Sequence, residues 1–253
     1  MNQSAHNFPV LIVASCDKYA AFWRPFVDSF NEFFPGYSGK KFIISNDKDF
    51  DYGGFLALKV GEDAGWCENM ITALSKTKES HVLLFLEDVF LNSRPKVRSF
   101  ENIMRLMRDK GYLYINLKAM PVADATDLTF IDGIGVGRVS KKGKYAYVLE
   151  PAIWSSQELI RVCSRSRDPW DAECRSWEII SDRDKYASVS EPVFSLDHLM
   201  IRGKLTREMR TKYCQASFDD IPVMGFWVDA YYKIRTFASA VWLRLLEQRA
   251  SLR

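Results

Sequence analysis

The chain reads as an α/β protein: a mixed, mostly parallel sheet flanked by helices, with a C-terminal amphipathic helix. Three observations predict it. Short apolar, β-branched runs alternate with longer stretches of helical period. The run His81-Val82-Leu83-Leu84-Phe85-Leu86-Glu87-Asp88-Val89-Phe90-Leu91 has the apolar character of a central strand buried on both faces. The 253 residues are 47% hydrophobic, enough for one large core.

Phe8 to Ala14 is the first expected strand, closed by the polar Ser15-Cys16-Asp17. A helix is expected from Asp17 to Phe34, with Phe22, Phe26, Val27, Phe30, Phe33 and Phe34 at helical spacing and Pro35-Gly36 as its stop. Lys41 to Ser45 is a second strand ending in Asn46-Asp47, so strand, helix and strand form a parallel βαβ unit. Phe55 to Val60 is a third strand, followed by Gly61-Glu62-Asp63-Ala64-Gly65 and a helix from Trp66 to Lys76. Four strand ends are therefore polar: Ser15-Cys16-Asp17, Asn46-Asp47, Glu62-Asp63 and Glu87-Asp88. In a parallel sheet they share one edge, the edge at which open α/β sheets bind ligands.

Pro95 to Lys110 is an amphipathic helix and Tyr112 to Leu117 a strand. Between Phe130 and Tyr147 two strand-like pieces flank Lys141-Lys142-Gly143-Lys144, read as a hairpin turn, which makes the sheet mixed. Gly133-Ile134-Gly135-Val136-Gly137 lacks the G-x-G-x-x-G spacing and precedes a strand rather than a helix. Its glycines are read as allowing close approach of a ligand or a neighbouring strand. Tyr145 to Ile153 is a strand, and Ser155 or Ser156 caps a helix from Gln157 to Ser164. Pro169 opens a helix continuing through Trp177 to Ile180, with Asp168, Asp171 and Glu173 at its start. Val193 to Ile201 is strand-like. From Pro222 onward the chain reads as one long helix interleaving aromatic and basic residues.

Lys+Arg 35 against Asp+Glu 32 leaves a net charge of +3, which excludes a nucleic-acid footprint over the whole surface. Five scattered cysteines without C-x-x-C spacing are expected to be reduced thiols in a cytoplasmic protein. No apolar run approaches the roughly 20 residues of a membrane span, and no secretory signal pattern is visible. Most of the aromatic residues are expected in the core.

The acid pair Glu87-Asp88 is the most informative feature. Adjacent carboxylates at a strand end repel each other and resist desolvation unless a cation neutralises them, which points to a divalent metal with a phosphorylated ligand. The alternative is a strand followed by an acidic loop.

The order of motifs resembles that of bacterial glycosyltransferases of the GT-A, Rossmann-like fold, the nucleotide-sugar-dependent kind of lipopolysaccharide and capsule clusters. The resemblance spans roughly Val10 to Lys204. It rests on Val13-Ala14-Ser15-Cys16-Asp17, Gly65-Trp66-Cys67-Glu68-Asn69-Met70, Leu86-Glu87-Asp88-Val89-Phe90, Pro169-Trp170-x-x-Glu173 and Arg202-Gly203-Lys204. It implies transfer of a sugar from a nucleotide-sugar donor to a surface glycan, free or lipid-linked, with inversion. The family's D-x-D metal element is incomplete here, since Val89 takes the third position. What the resemblance implies is Asp88 as ligand to Mn²⁺ or Mg²⁺; His198, a lone histidine in an apolar strand, reads either as a further ligand or as a structural histidine. Glu87 would orient Asp88 or face the sugar, and Arg202 and Lys204 would assist the cation on the diphosphate or substitute for it.

The resemblance further implies nucleotide contacts from Ser15, Asp17, Asp47, Trp66 and Asn69, although Asp17 and Asp47 equally suit capping or turn formation. It places the base that deprotonates the acceptor at Glu173, with Asp171 in reserve, though both also suit a helix N-terminus. A sugar nucleotidyltransferase and a non-catalytic nucleotide-sugar-binding or assembly protein are the alternatives. The expected division is a catalytic domain over 1–217, with a nucleotide-sugar half about 1–117 and an acceptor half about 118–217, and a helical segment over 218–253. That segment suits either a peripheral contact with the inner membrane or packing on the domain, including a homodimer interface.

Overall fold

The computed structural model describes residues 8–139, 141–216, 218–226, 228–230 and 232. The chain forms two compact units, Met1–Asp197 and His198–Arg253. The first contains β1 (Val10–Ala14), a 3₁₀ turn (Asp17–Phe22), α1 (Trp23–Phe33), β2 (Lys41–Ser45), β3 (Asp51–Tyr52), β4 (Phe55–Lys59), α2 (Trp66–Thr77) and β5 (His81–Leu86). It continues through β6 (Val89–Leu91), α3 (Val97–Lys110), β7 (Tyr114–Asn116), β8 (Leu128–Ile131), β9 (Ile134–Arg138), β10 (Ala152–Ser155), α4 (Ser156–Ser164), α5 (Pro169–Cys174), α6 (Ser176–Ile179) and β11 (Tyr186–Val189). β12 (Leu196–His198) spans the boundary; β13 (Met200–Ile201), β14 (Lys204–Leu205) and α7 (Arg207–Lys212) belong to the second unit.

A 10-stranded sheet in the order β3-β4-β2-β1-β5-β10-β7-β11-β9-β8 organises the first unit. Its half built from β4, β2, β1 and β5 is parallel throughout. β7, β11 and β8 run the same way as these, and only β3, β10 and β9 run against them. The sheet is thus mixed and mostly parallel, with helices on its faces.

Strand burial follows from the apolar runs. Val10, Ile12 and Ala14 of β1 and Val82 and Leu84 of β5 point into a core shared with Met70, Ala73 and Leu74 of α2 and Leu159 and Val162 of α4. The alternate residues Leu11, Val13, Leu83 and Phe85 are also fully buried. On that side Phe85 meets Phe26 and Phe30 of α1, with ring centroids 6.0 and 6.1 Å apart. Phe30 and Phe34 continue this aromatic layer to Phe100 of α3. The other core has an aromatic cluster of Tyr114, Tyr147, Trp154 and Tyr186. Each such ring contributes about 1.5–3 kcal/mol by leaving water, and about half of the described aromatics are buried in the core.

Several local expectations are corrected. The helix after β1 begins as a 3₁₀ turn and becomes α-helical only at Trp23. The central run breaks at Glu87-Asp88, which form a turn between β5 and β6. The hairpin turn is Asp132-Gly133, with φ of 48° and 88°, joining β8 to β9, rather than the basic Lys141–Lys144 stretch. This is the left-handed pair of conformations that an Asp-Gly turn adopts readily. A Cβ on Gly137 would stand 2.5 Å from the Asp127 carbonyl oxygen, so its neighbour is an adjoining backbone segment. Tyr145 to Leu149 is irregular, and the strand there is confined to Ala152–Ser155. Ser155 occupies the N-cap of α4 without a side-chain cap bond. The helix opened by Pro169 is interrupted at Arg175, giving α5 and α6. Val193 to Ile201 forms only the short β12 and β13. Most of the helix expected from Pro222 onward lies outside the described residues.

Candidate active site

Strand order reverses between β1 and β5: the chain goes from β1 outward to β2 and β4, then returns to place β5 on the other side of β1. The carboxyl ends of two diverging parallel strands leave a crevice at such a point. Ser15-Cys16-Asp17 and Glu87-Asp88 follow these two strands, and the side chains of Cys16 and Tyr19 feel the charge of Glu87.

The antiparallel strands bring two further residues to the same edge. β10 pairs with β5 with Ala152 opposite Leu84, and with β7 with Ala152 opposite Asn116. Just past these pairs the bond from Leu117 N–H to the Pro151 carbonyl continues the pairing of β7 with β10, and Lys118 and Glu150 are the residues that follow it on either side. Lys118 Nζ lies 4.0 Å from Glu150 Oε1. The buried Asn116 fixes the Lys118 turn: its side-chain oxygen accepts from the N–H groups of Lys118 and Met120 at 2.9 and 3.0 Å. Its amide donates to the Tyr114 hydroxyl, which itself donates to the Val148 carbonyl.

Glu173 arrives from α5. Asp168 caps that helix, accepting from Asp171 N–H at 2.7 Å, and Tyr147 Oη donates to the Ala172 carbonyl. Leu149 N–H donates to Glu173 Oε1 at 2.9 Å.

The resulting group is Asp88, Glu150 and Glu173 around Lys118, with Glu87 beside Asp88. Glu87 is only 8% exposed; burial, reinforced by the charge of Asp88, pushes its carboxyl well above the usual range. Burial also pushes Asp88 up to about 6, against its own backbone N–H and Lys118. Glu150 is pushed up to about 8 by burial, with Lys118 opposing and Asp88 and Glu173 adding to the rise. Its Oε2 is buried without a hydrogen-bond partner among the described residues. Glu173 is raised by burial, against the Leu149 N–H and Lys118. Carboxyls displaced toward neutrality at a sheet edge are suited to proton transfer or to meeting a cation. Sequence reasoning missed Lys118 and Glu150; neither has a motif, and only strand register brings them here.

The other expected residues are placed as follows. Both Asp17 oxygens are engaged: Oδ1 accepts from Ser45 Oγ at 2.8 Å and Asn46 N–H at 2.9 Å, Oδ2 from the N–H groups of Asp47 and Lys48 at 3.0 and 3.1 Å. Burial raises this carboxyl, but those bonds together outweigh it and hold it below its usual value. Asp17 therefore ties the end of β1 to the end of β2. Ser15 Oγ accepts from the Trp23 indole N–H at 2.8 Å, and Asp47 is exposed. Asn69 is buried and donates to Asp63 at 2.8 Å, holding the loop that precedes α2. Trp66 packs partly buried against the core. Asp171 meets Arg167 and Arg175 at 3.2 and 3.3 Å; the Arg167 backbone N–H, helped by the two guanidiniums, holds its carboxyl below the usual range.

Three remaining candidates lie in the second unit. His198 ends β12 and is exposed. Arg202-Gly203, with φ of 52° and 72°, is the turn between β13 and β14, so Arg202 and Lys204 sit on an exposed hairpin.

Fold and site define a mixed α/β protein with a buried carboxylate cluster beside its switch point. No protein-family model matches the chain, nor does any curated protein. Among solved structures, S. aureus TarS is similar at 9% identity and a TM-score of 0.46, over 73% of this chain and 35% of that one. TarS 1–349 in complex with UDP-GlcNAc is similar at 9% identity and 0.44, over 74% and 57%. The bifunctional IspDF from Campylobacter jejuni is similar at 15% and 0.34, over 66% and 46%. The chain thus spans less than two thirds of the length of each. Likenesses this distant leave function to this chain's own residues.

Proposed function

We propose that the chain is a glycosyltransferase that moves a sugar from a nucleotide-sugar donor to a bacterial surface glycan of the lipopolysaccharide or capsule kind, with inversion. The observation that carries this reading is that Asp88, Glu150 and Glu173 all feel the charge of Lys118 at the carboxyl edge of the sheet, with Glu87 adjacent to Asp88. The motif order read from the sequence supports it.

Glu173 serves as base. Its raised affinity for a proton suits removal of the acceptor hydroxyl proton as that oxygen attacks the anomeric carbon. The bond from anomeric carbon to phosphate oxygen breaks, and the nucleoside diphosphate leaves with the electron pair. Lys118 is the fixed positive charge of the cluster; Glu87 faces the donor sugar.

Among the described residues no three His, Cys, Asp or Glu side chains are grouped to hold a metal ion. Asp88 would instead hold Mg²⁺ or Mn²⁺ as a single carboxylate, with the donor phosphates completing the shell. Such a cation would neutralise charge on the departing diphosphate. No helix among the described residues is long and apolar enough to cross a membrane; contact with a lipid-linked acceptor is proposed to run through the basic, aromatic C-terminal segment.

The deciding experiment is calorimetric titration with a panel of nucleoside diphosphates and nucleotide sugars, with Mn²⁺, Mg²⁺ or chelator. Metal-enhanced binding of one nucleotide sugar, lost in Asp88→Asn, is expected. No binding to any of them removes the donor premise.

A further inference from the structure

The second unit carries a basic pocket that the transferase reading does not use. It has a volume of about 470 Å³ and is lined by Arg207, Arg210, Thr211, Val223, Met224 and Gly225. Arg207, Arg210 and Thr211 stand three and four residues apart on α7 and so share one helical face.

The walls are pinned from both sides. Thr206 caps α7, its hydroxyl accepting from Met209 N–H at 3.3 Å. The opposite wall is bonded to β14: Leu205 N–H donates to the Pro222 carbonyl and Met224 N–H to the Leu205 carbonyl, both at 2.9 Å. The buried Asp229 accepts the Arg207 backbone N–H at 3.3 Å. The pocket is thus formed without a ligand, and binding there spends little on ordering.

Both arginine side chains are exposed, and among the described residues neither guanidinium has a carboxylate within ion-pair distance. Arg207 lies over the Phe226 ring, 5.8 Å from its centroid, and Phe226 and Val228 are 59% and 50% exposed. Two guanidiniums on one face match a dianion better than a single carboxylate, and their planar forks suit phosphate oxygens. The exposed apolar side chains beside them offer contact to whatever the phosphate is attached to.

We propose that this pocket binds a phosphate group through Arg207 and Arg210, either as a phospholipid headgroup or as a soluble phosphate. The site stands independently of the transferase reading. The sequence beyond it, with Lys233, Arg235, Arg244, Arg249 and Arg253 against the single acid Glu247, adds charge of the same sign.

The test uses the full chain as wild type, as Arg207→Gln/Arg210→Gln, as Arg207→Lys/Arg210→Lys and as Asp88→Asn, each checked by circular dichroism for retained fold. Co-sedimentation is measured with phosphatidylcholine vesicles with and without phosphatidic acid, and calorimetry with inorganic pyrophosphate. Expected is binding to phosphatidic acid vesicles or pyrophosphate that falls about tenfold or more in the glutamine variant. It recovers in part in the lysine variant, and chelator is kept in the calorimetry so that no cation draws pyrophosphate to Asp88. Vesicle binding identifies a lipid source, and pyrophosphate binding alone a soluble one. Undiminished binding in the folded glutamine variant, or none by wild type to either probe, overturns the proposal. Loss in Asp88→Asn alone places the anion at the sheet edge and overturns it as well.

Discussion

Lys118 Nζ stands 4.0 Å from Glu150 Oε1, across the antiparallel pairing of β7 with β10. This ammonium opposes the upward push of burial on Asp88, Glu150 and Glu173. An opposite charge at this range lowers a carboxyl pKa by roughly one to three units. Lys118→Met is therefore expected to raise the acidic limb of the pH–activity profile by about one unit or more, measured as donor hydrolysis or transfer. A variant that loses activity with an unshifted limb assigns Lys118 to substrate contact instead.

The same carboxyls make stability depend on pH. Glu150 moves from an ordinary value of 4.5 to about 8, and Asp88 from 3.8 to about 6. Between these values the folded chain holds protons that the unfolded chain has released, so stability falls as pH rises. The contribution is fully present below the unfolded values and is lost as pH passes through the folded ones. Asp17 and Asp171, held low, act oppositely and lose their contribution in acid. Glu150→Gln is expected to gain melting temperature over wild type at about pH 9 relative to about pH 5. A difference independent of pH would show that Glu150 is not protonated in the folded chain.

Asp17→Ala removes the acceptor of four hydrogen bonds joining the ends of β1 and β2. A loss on the order of 2 kcal/mol in urea unfolding is expected, as for other charge-assisted bonds. Nucleotide affinity should follow only so far as the strand ends move. An unchanged midpoint with abolished nucleotide binding would return Asp17 to a direct ligand role.

Gly137→Ala tests the glycine run. Its new Cβ would meet the Asp127 carbonyl oxygen at 2.5 Å and the Leu128 side chain at 3.0 Å. The backbone must yield, so about 1–3 kcal/mol of destabilisation is expected. Gly36→Ala, which meets nothing within 4 Å, is the control.

The parts legible in the sequence share one cause. β1, β2 and β5 are apolar runs whose ends are marked by polar residues, and both faces of the sheet are covered, so the run alone defines the strand. Tyr145 to Leu149 has the same character but is an irregular segment; Tyr147 and Leu149 are buried there without strand pairing, and hydrophobicity cannot distinguish the two. Asp132-Gly133 is the residue pair a hairpin turn favours, and it joins β8 to β9 where the basic Lys141 to Lys144 stretch does not. Glu87 and Asp88 were found because they interrupt an apolar run. Lys118 and Glu150 were not, because their meeting depends on the register of antiparallel strands far apart in the chain.

Glu173 and Asp171 lie two residues apart on α5 but in opposite electrostatic settings, and this separates base from clamp. Glu173 accepts one backbone N–H and is raised by burial among the carboxylates. Asp171 is 4% exposed at its side chain and held by Arg167 and Arg175. Glu173→Gln, isosteric and unable to take the proton, is expected to lower turnover by about 10²–10⁴-fold with little change in donor affinity. Asp171→Asn is expected to lower the melting temperature while the remaining folded protein keeps its turnover. Measuring donor affinity, turnover and melting temperature for both variants decides the assignment. If Asp171→Asn loses turnover at full stability while Glu173→Gln does not, the two roles are reversed.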